Sequence, residues 1–438
     1  MTNVTSRALV IGGGFSGVAA ATALHAQGCT VTLLEQHDVL GGRARSTTID
    51  SHRIDVGAQL VASTFSRGMR LLARAPLEAT RGRDLFVSDG KRLPVHFGSI
   101  SSMLRFGALG VVDKIRLGAT VLPLLARHTA SLHVDATAEL AELDAMTARS
   151  YIEDSAGARA ANAVVEPALN AFYGMRGAET SLAFFLTLGR YGSDADLLAA
   201  RGGWSEALAR VAADVHVEYG ARVDAITVSP SGVVARDASG REWSGDGAVI
   251  ATSAEVALAL LRQAAGAPHA VVDWLSTVET RRTWTVVLVL RRSVHAEAFG
   301  VLADPREATL VSACAVPSGR WTVALDAPQV ILAWPTPGAV DELGARPAHE
   351  IVAAMMPEIE RLVPEVRDGV ERARIVRFDE GTPLAPPGFL AHRAEGRALV
   401  ESLDLPIALA GDYLTMPFVE GAVLSGERAA EQLVRRLS

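Results

Sequence analysis

Gly12, Gly14 and Gly17 follow the apolar run Leu9-Val10-Ile11 in the spacing G-x-G-x-x-G, and residues of that type at that spacing can hold a phosphate. The first glycine makes a tight turn, the second lets backbone come close to a pyrophosphate, and the third packs the next helix on the strand. Phe15 and Ser16 complete the loop, and the helix expected from about Val18 turns its free N–H groups and positive dipole end toward the same anion. Glu35 ends a second apolar run, Val31-Thr32-Leu33-Leu34, twenty-one residues after Gly14, with Gln36 next. A carboxylate at that point accepts hydrogen bonds from an adenosine ribose, so the spacing predicts a bound dinucleotide. A strand, turn and helix without a ligand is the alternative reading.

A second set of residues extends this chemistry. Gly41-Gly42-Arg43 pairs close backbone approach with a guanidinium able to clamp phosphate oxygens; the alternative is a solvated loop. Gly57 and Ala58 close the strand ending Asp55-Val56, and Thr252 closes the buried run Gly247-Ala248-Val249-Ile250-Ala251, both small enough for a ligand to lie against backbone. Near the C-terminus, Ile407-Ala408-Leu409-Ala410 delivers Gly411-Asp412, and a helix is expected from about Gly421 with Ala422, Ser425, Gly426 and Ala429 on one face. Other chemistries lack their residues. The eleven histidines show no paired-ligand spacing, Cys29 and Cys314 make no zinc-type pair or disulfide framework, and Ser16 lies in no G-x-S-x-G elbow, so no metal site and no hydrolase are expected.

The elements that position these residues follow from periodicity and turn signals. Val18 to Gln27 is an alanine-rich helical run that Gly28 stops. Phe86 to Pro94 reads as a hairpin closed at Asp89-Gly90. Between Lys91 and Ala130 the chain becomes apolar and helical, with Lys91, Arg92, Arg105, Lys114, Arg116 and Arg127 against Asp113 alone. Such a segment suits a membrane surface or an anionic hydrophobic substrate, or else is an ordinary solvated face. At 438 residues with 49% hydrophobic content the chain exceeds one ordinary core, and two domains are expected. A net charge of −7 argues against nucleic acid as a partner. The chain passes from Met1 almost directly into a strand at Ala8 and has no long uninterrupted apolar run. A cytoplasmic protein without a spanning helix is expected, with peripheral membrane contact through about 98–127.

Taken in order, G-x-G-x-x-G, Glu35, Gly41-Gly42-Arg43 and Asp55-Val56-Gly57-Ala58 resemble the FAD-dependent amine oxidase superfamily. Tyr151-Ile152-Glu153-Asp154, Val165-Glu166-Pro167, Phe172-Tyr173-Gly174 and Thr180-Ser181-Leu182 resemble protoporphyrinogen and coproporphyrinogen oxidases more than amine oxidases, although Ala171 stands where those enzymes usually carry glycine. The resemblance implies an α/β fold, with a Rossmann-like FAD-binding domain at 1–80, 200–265 and 395–438. An inserted α+β substrate domain, mixed sheet plus helices, would take 81–199 and 266–394, its helical part at about 98–190. It implies that Val223 contacts adenine, that Asp412 binds near the ribitol and pyrophosphate, and that Phe418 is one aromatic wall of the substrate pocket. Tyr173 and Arg92 are further pocket candidates. Amine oxidases commonly carry a lysine where Trp284-Thr285-Val286-Val287 stands, and a covalent cysteine and second aromatic wall where Glu380-Gly381 stands. FAD is therefore expected to be held non-covalently. The implied activity is hydride removal from a small hydrophobic substrate to flavin N5, with reoxidation by dioxygen. Desaturation of an isoprenoid, C–N oxidation and a non-redox isomerisation are the alternatives.

Overall fold

In the computed structural model, residues 6–49, 52–80, 84–136, 138–193, 195–264, 267, 269–291, 298–316 and 330–438 are described. The chain divides into two compact units, one of 1–78, 198–280 and 390–438 and the other of 79–197 and 281–389. The second segment of the first unit runs past the expected boundary near 265. The reason is the helix His269–Ser276, whose Val271, Trp274 and Leu275 join the same core as Leu260 and Tyr413.

The first unit is built on five parallel strands in the order His216–Tyr219, Thr30–Glu35, Arg7–Ile11, Gly247–Ile250, Ile407–Leu409. Chain order runs outward in both directions from Arg7–Ile11, and such a reversal opens a crevice at the carboxyl end of that strand. Strands buried on both faces need apolar side chains throughout, which Leu9, Val10, Ile11, Leu33, Leu34, Val249 and Ile250 supply. Helix Phe15–Ala26 starts three residues before the expected Val18, because Gly14 is already its extended N-cap. It ends where Gly28 takes a φ of +87°, the left-handed stop expected of that glycine. The C-terminal helix Val419–Leu437 packs along it, and a Cβ on Gly426 would stand 2.1 Å from the Ser16 carbonyl oxygen. Only glycine permits that approach.

The second unit holds a seven-stranded sheet in the order Val370–Pro383, Thr280–Leu290, Val330–Pro335, Val311–Ala315, Gly300–Ala303, Asp84–Ser88, Lys91–Val95. Asp84–Ser88 and Lys91–Val95 form the expected hairpin, and positive φ at Asp89 and Gly90 gives the tight turn that a two-residue loop requires. The amphipathic helix Ala348–Leu362 covers the sheet with Ile351, Met355, Ile359 and Leu362. Helices from Ile100–Arg105 to Leu182–Gly192 make up the rest. The fold is thus a Rossmann-like α/β domain with an inserted unit of mixed sheet and helices.

Candidate cofactor site

At the carboxyl end of Arg7–Ile11 the glycines are fixed by different neighbours. Gly12 has a φ of +106°, and a Cβ there would lie 2.7 Å from the Ala251 oxygen. A Cβ on Gly17 would meet the Gly12 oxygen at 1.8 Å, so helix and strand touch through backbone. At Gly13, a free position in the fingerprint, a Cβ would press on the ends of two side chains, Leu40 at 2.4 Å and Glu35 Oε2 at 2.8 Å, which would have to shift. Gly14 is different, since a Cβ there meets nothing within 4 Å. The middle glycine faces open space, which is the place for a ligand. No side chain caps the helix that starts here, so its first-turn N–H groups are left for an anion.

Glu35 is buried, with Oε2 accepting from the Gly13 N–H at 2.7 Å and Oε1 from the His37 N–H at 2.9 Å. Its carboxylate thereby ties the end of the second strand to the glycine loop. Desolvation and then the nearby Arg45 charge lower the pKa of His37, favouring the neutral imidazole. The Gly41 N–H donates to the Gly13 oxygen at 2.9 Å, and Gly42, with a φ of +55°, lies so close that its Cβ would be 3.3 Å from the Gly14 Cα. Arg43 Nη2 donates to Asp412 Oδ1 at 2.6 Å, and Asp412 is 5% exposed. The Ala58 N–H donates to the Arg43 oxygen, bringing Gly57-Ala58 to the same loop, and the Gly411 N–H donates to Ser425 Oγ.

Thus Gly12, Gly14, Phe15, Ser16, Gly17, Glu35, Gly42, Arg43, Gly57, Ala58, Thr252, Gly411 and Asp412 come together from segments far apart in sequence. Gly421 and Ala422 lie in the first turn of the last helix, Gly421 against the Met416 oxygen and the Ala422 N–H donating to Phe418. Gln36 is exposed and pairs with the His37 ring, while Val223 is buried at the start of a separate three-stranded sheet. Phe418 is 7% exposed and stacks on Phe65 with ring centroids 5.4 Å apart.

In the second unit, Tyr173 meets Phe184 edge to face at 5.5 Å and Phe184 meets Phe389 at 6.2 Å. Desolvation pushes the Tyr173 phenol up, so it stays neutral. Arg92 donates to the Leu362 oxygen at 2.9 Å, which satisfies a carbonyl at the end of helix Ala348–Leu362. One of its N–H groups is therefore committed within the fold. Gly381 lies against the backbone of Arg281, where a Cβ would approach within 2.3 Å.

Two supports were invisible to spacing. Asp55 Oδ1, 6% exposed as a residue, accepts from Ser46 Oγ at 2.7 Å and from the Trp204 N–H at 3.0 Å, while Ser205 Oγ donates to Leu40. This network fastens the Gly202-Gly203 turn beside the Gly41 loop, and the glycine pair, both members at positive φ, is its only trace in the sequence. Glu420, 2% exposed, accepts from the N–H groups of Arg67 and Gly68 and from Ser66 Oγ, closing the start of helix Ser66–Leu71. An acid in the first turn of its own helix conceals that partner.

Glycine loop, buried carboxylate at the end of the second strand and crevice at the strand reversal define a dinucleotide-binding fold. The chain belongs to the flavin containing amine oxidoreductase family, whose profile matches residues 15–434. The cofactor of that family of oxidoreductases is FAD. The neurosporene-forming phytoene desaturase of Cereibacter sphaeroides is 43% identical over 89 residues, 20% of this chain and 16% of that protein. The match thus spans about a sixth of that relative's length. Cyclohexylamine oxidase from Brevibacterium oxydans superposes with a TM-score of 0.75 at 20% identity, over 99% of each chain. A putative protoporphyrinogen oxidase from Exiguobacterium gives 0.73 at 16% identity, over 97% of this chain and 98% of that one. At such identities these two likenesses show the fold alone. Among the described residues no cluster of histidine, cysteine and acidic side chains could hold a metal, and no helix is long and apolar enough to cross a membrane.

Proposed function

We propose that this protein oxidises a hydrophobic substrate by taking hydride from carbon, in the manner of a protoporphyrinogen oxidase, with dioxygen as the final acceptor. Bound FAD supplies the two-electron acceptor for that reaction. In this reading the chain's own groups bind and orient. The amides after Gly12 and the start of helix Phe15–Ala26 hold the pyrophosphate, and Arg43 adds a cation that Asp412 positions. Glu35 receives the ribose hydroxyls, and Val223 packs against adenine. The first turn of Val419–Leu437, around Gly421 and Ala422, presents partial positive charge to the flavin. No covalent link is involved, since the chain's two cysteines, Cys29 and Cys314, are buried within the fold.

The makeup of the second unit supports a substrate that is not an amine. Trp284 and Thr285, both buried, occupy the strand where amine oxidases carry a lysine, and the chain's only lysines are Lys91 and Lys114. Lys91 belongs to the hairpin, and Lys114 donates to the Leu104 oxygen. The half-buried Tyr173, backed edge to face by the buried Phe184, offers instead a neutral aromatic ring suited to a flat apolar molecule. The match to phytoene desaturase supports a second reading, desaturation of an isoprenoid.

One experiment separates these readings. The purified protein is mixed anaerobically in turn with a porphyrinogen, an isoprenoid polyene and a primary amine, and bleaching of the flavin absorbance and the products are followed. Bleaching by the porphyrinogen alone is expected. Bleaching only by the polyene would move the assignment to desaturation, bleaching only by the amine would overturn it, and turnover without consumption of an acceptor would end any redox reading.

A further inference from the structure

Helix Val111–His128 half-buries Leu117, Val121, Leu124 and Leu125 yet also turns apolar side chains to solvent. None of its residues is buried, and those facing solvent include Val111, Val112, Ile115, Ala119, Leu122, Pro123 and Ala126. Val111 is 73% exposed, Ile115 65% and Leu122 48%, while helix Ile100–Arg105 adds Ile100 at 59% and Leu104 at 65%. Among the described residues, six of the eight large hydrophobic side chains that are exposed lie between Ile100 and Leu122. Single exposed apolar residues are ordinary, but a contiguous group is a docking surface.

The charges around this face identify what it fits. Arg105, Arg116 and Arg127 are exposed beside the apolar residues, and Lys114 Nζ ties the two helices together through the Leu104 oxygen. The one acid of the stretch, Asp113, is occupied: Oδ2 accepts from the Gly110 N–H at 2.9 Å and lies 3.7 Å from Arg159. The local charge is positive although the whole chain carries −7. Apolar residues flanked by arginine match the acyl and phosphate layers of an anionic bilayer. A protein of net negative charge is repelled from such a surface everywhere except at a basic face.

We propose that helices Ile100–Arg105 and Val111–His128 dock the protein peripherally on an anionic lipid surface. Val111, Val112, Ile115 and Leu122 enter the acyl boundary, and Arg105, Arg116 and Arg127 remain among the phosphates. The inference does not depend on which substrate is oxidised.

The test is flotation of the full-length flavoprotein with vesicles of phosphatidylcholine alone and of phosphatidylcholine mixed with phosphatidylglycerol. Binding to the mixed vesicles is expected, with little to the neutral ones, and high salt should weaken it. Arg116→Glu with Arg127→Glu should weaken binding by on the order of fivefold or more for each charge altered. Ile115→Asp with Leu122→Asp should abolish it on both vesicle types. Flavin content and melting temperature should not change in either variant, because the substituted side chains are solvent-facing. Should a variant fail to fold, the lipid and salt dependence of the wild-type protein still decides. Absence of wild-type flotation with the anionic vesicles overturns the proposal. So does sedimentation showing that the apolar face joins two copies of the chain, with the aspartate substitutions dissolving a dimer and leaving lipid binding unchanged.

Discussion

Substituting alanine at Gly14 and at Gly17 should separate ligand binding from folding within one loop. Gly14 has φ −74° and ψ −177°, a conformation open to alanine, and a Cβ there touches no protein atom within 4 Å. The folded chain loses little: a modest N-cap penalty is set against about 0.4–1 kcal/mol gained from a less flexible unfolded chain. Stability without flavin should therefore change by less than about 1 kcal/mol. If phosphate fills that space, the methyl group overpacks it at a cost of about 1–3 kcal/mol, or roughly 5- to 150-fold in FAD affinity. At Gly17 the same methyl group would stand 1.8 Å from the Gly12 oxygen. Backbone cannot yield by that much, so Gly17→Ala should fail to give soluble folded protein. The assay is the flavin-to-protein ratio after purification, FAD titration by fluorescence quenching, and thermal melts with and without added FAD. Wild-type FAD affinity in Gly14→Ala would refute the placement of phosphate over Gly14. A large loss of stability in the flavin-free form would refute the claim that the space is open.

Glu35→Ala removes an acceptor from the Gly13 and His37 N–H groups as well as the proposed ribose contact, and should lower flavin retention on purification; undiminished retention counts against that contact. Glu420→Ala leaves the N–H groups of Arg67 and Gly68 without their carboxylate, which should cost about 2–4 kcal/mol by denaturant titration, and Glu420→Gln should recover part of it. In the second unit, desolvation raises Asp84 to about 6, while the His96 charge and the Gly300 amide pull it down. The folded protein therefore holds this proton more tightly than the unfolded chain, and the stability so gained is lost as pH rises from about 4 to about 6. Asp84→Asn should stabilise the protein at neutral pH by about 1–2 kcal/mol after allowance for partial exposure, and hardly at all near pH 4. Equal effects at both pH values would show that Asp84 is not the titrating group.

Whatever depended on local backbone geometry was legible in the sequence. The glycine loop, the strand ending at Glu35, the Asp89-Gly90 turn and the small residues of the last helix require particular residue types nearby in the chain, and spacing exposes them. Requirements set by remote partners left no such trace. Gly13 has no room for a Cβ unless the Leu40 and Glu35 side chains shift. Asp55 is buried beneath the Gly202-Gly203 turn, roughly a hundred and fifty residues on, and Glu420 serves a helix some three hundred and fifty residues before it. The helix near Lys114 shows a different limit. An apolar stripe is ordinarily taken as the face turned inward, and periodicity alone cannot tell a helix that buries its stripe from one that displays it.

The close approaches at Gly17 and Gly426 bear on when the cofactor site can form. Gly17 fixes helix Phe15–Ala26 on the first strand, and Gly426 brings the last helix against the Ser16 oxygen and the Ala20 amide. The Gly411 N–H in turn needs Ser425 Oγ, and Arg43 needs Asp412. A glycine loop encoded within the first twenty residues is thus completed only by residues from the last thirty. Local glycine geometry can make the turn early in synthesis, but the buried Asp412 carboxylate and the close-packed helix pair come only with the C-terminal segment. Flavin retention should therefore report on the whole first unit, and substitutions at Gly426 should release FAD as readily as substitutions in the loop.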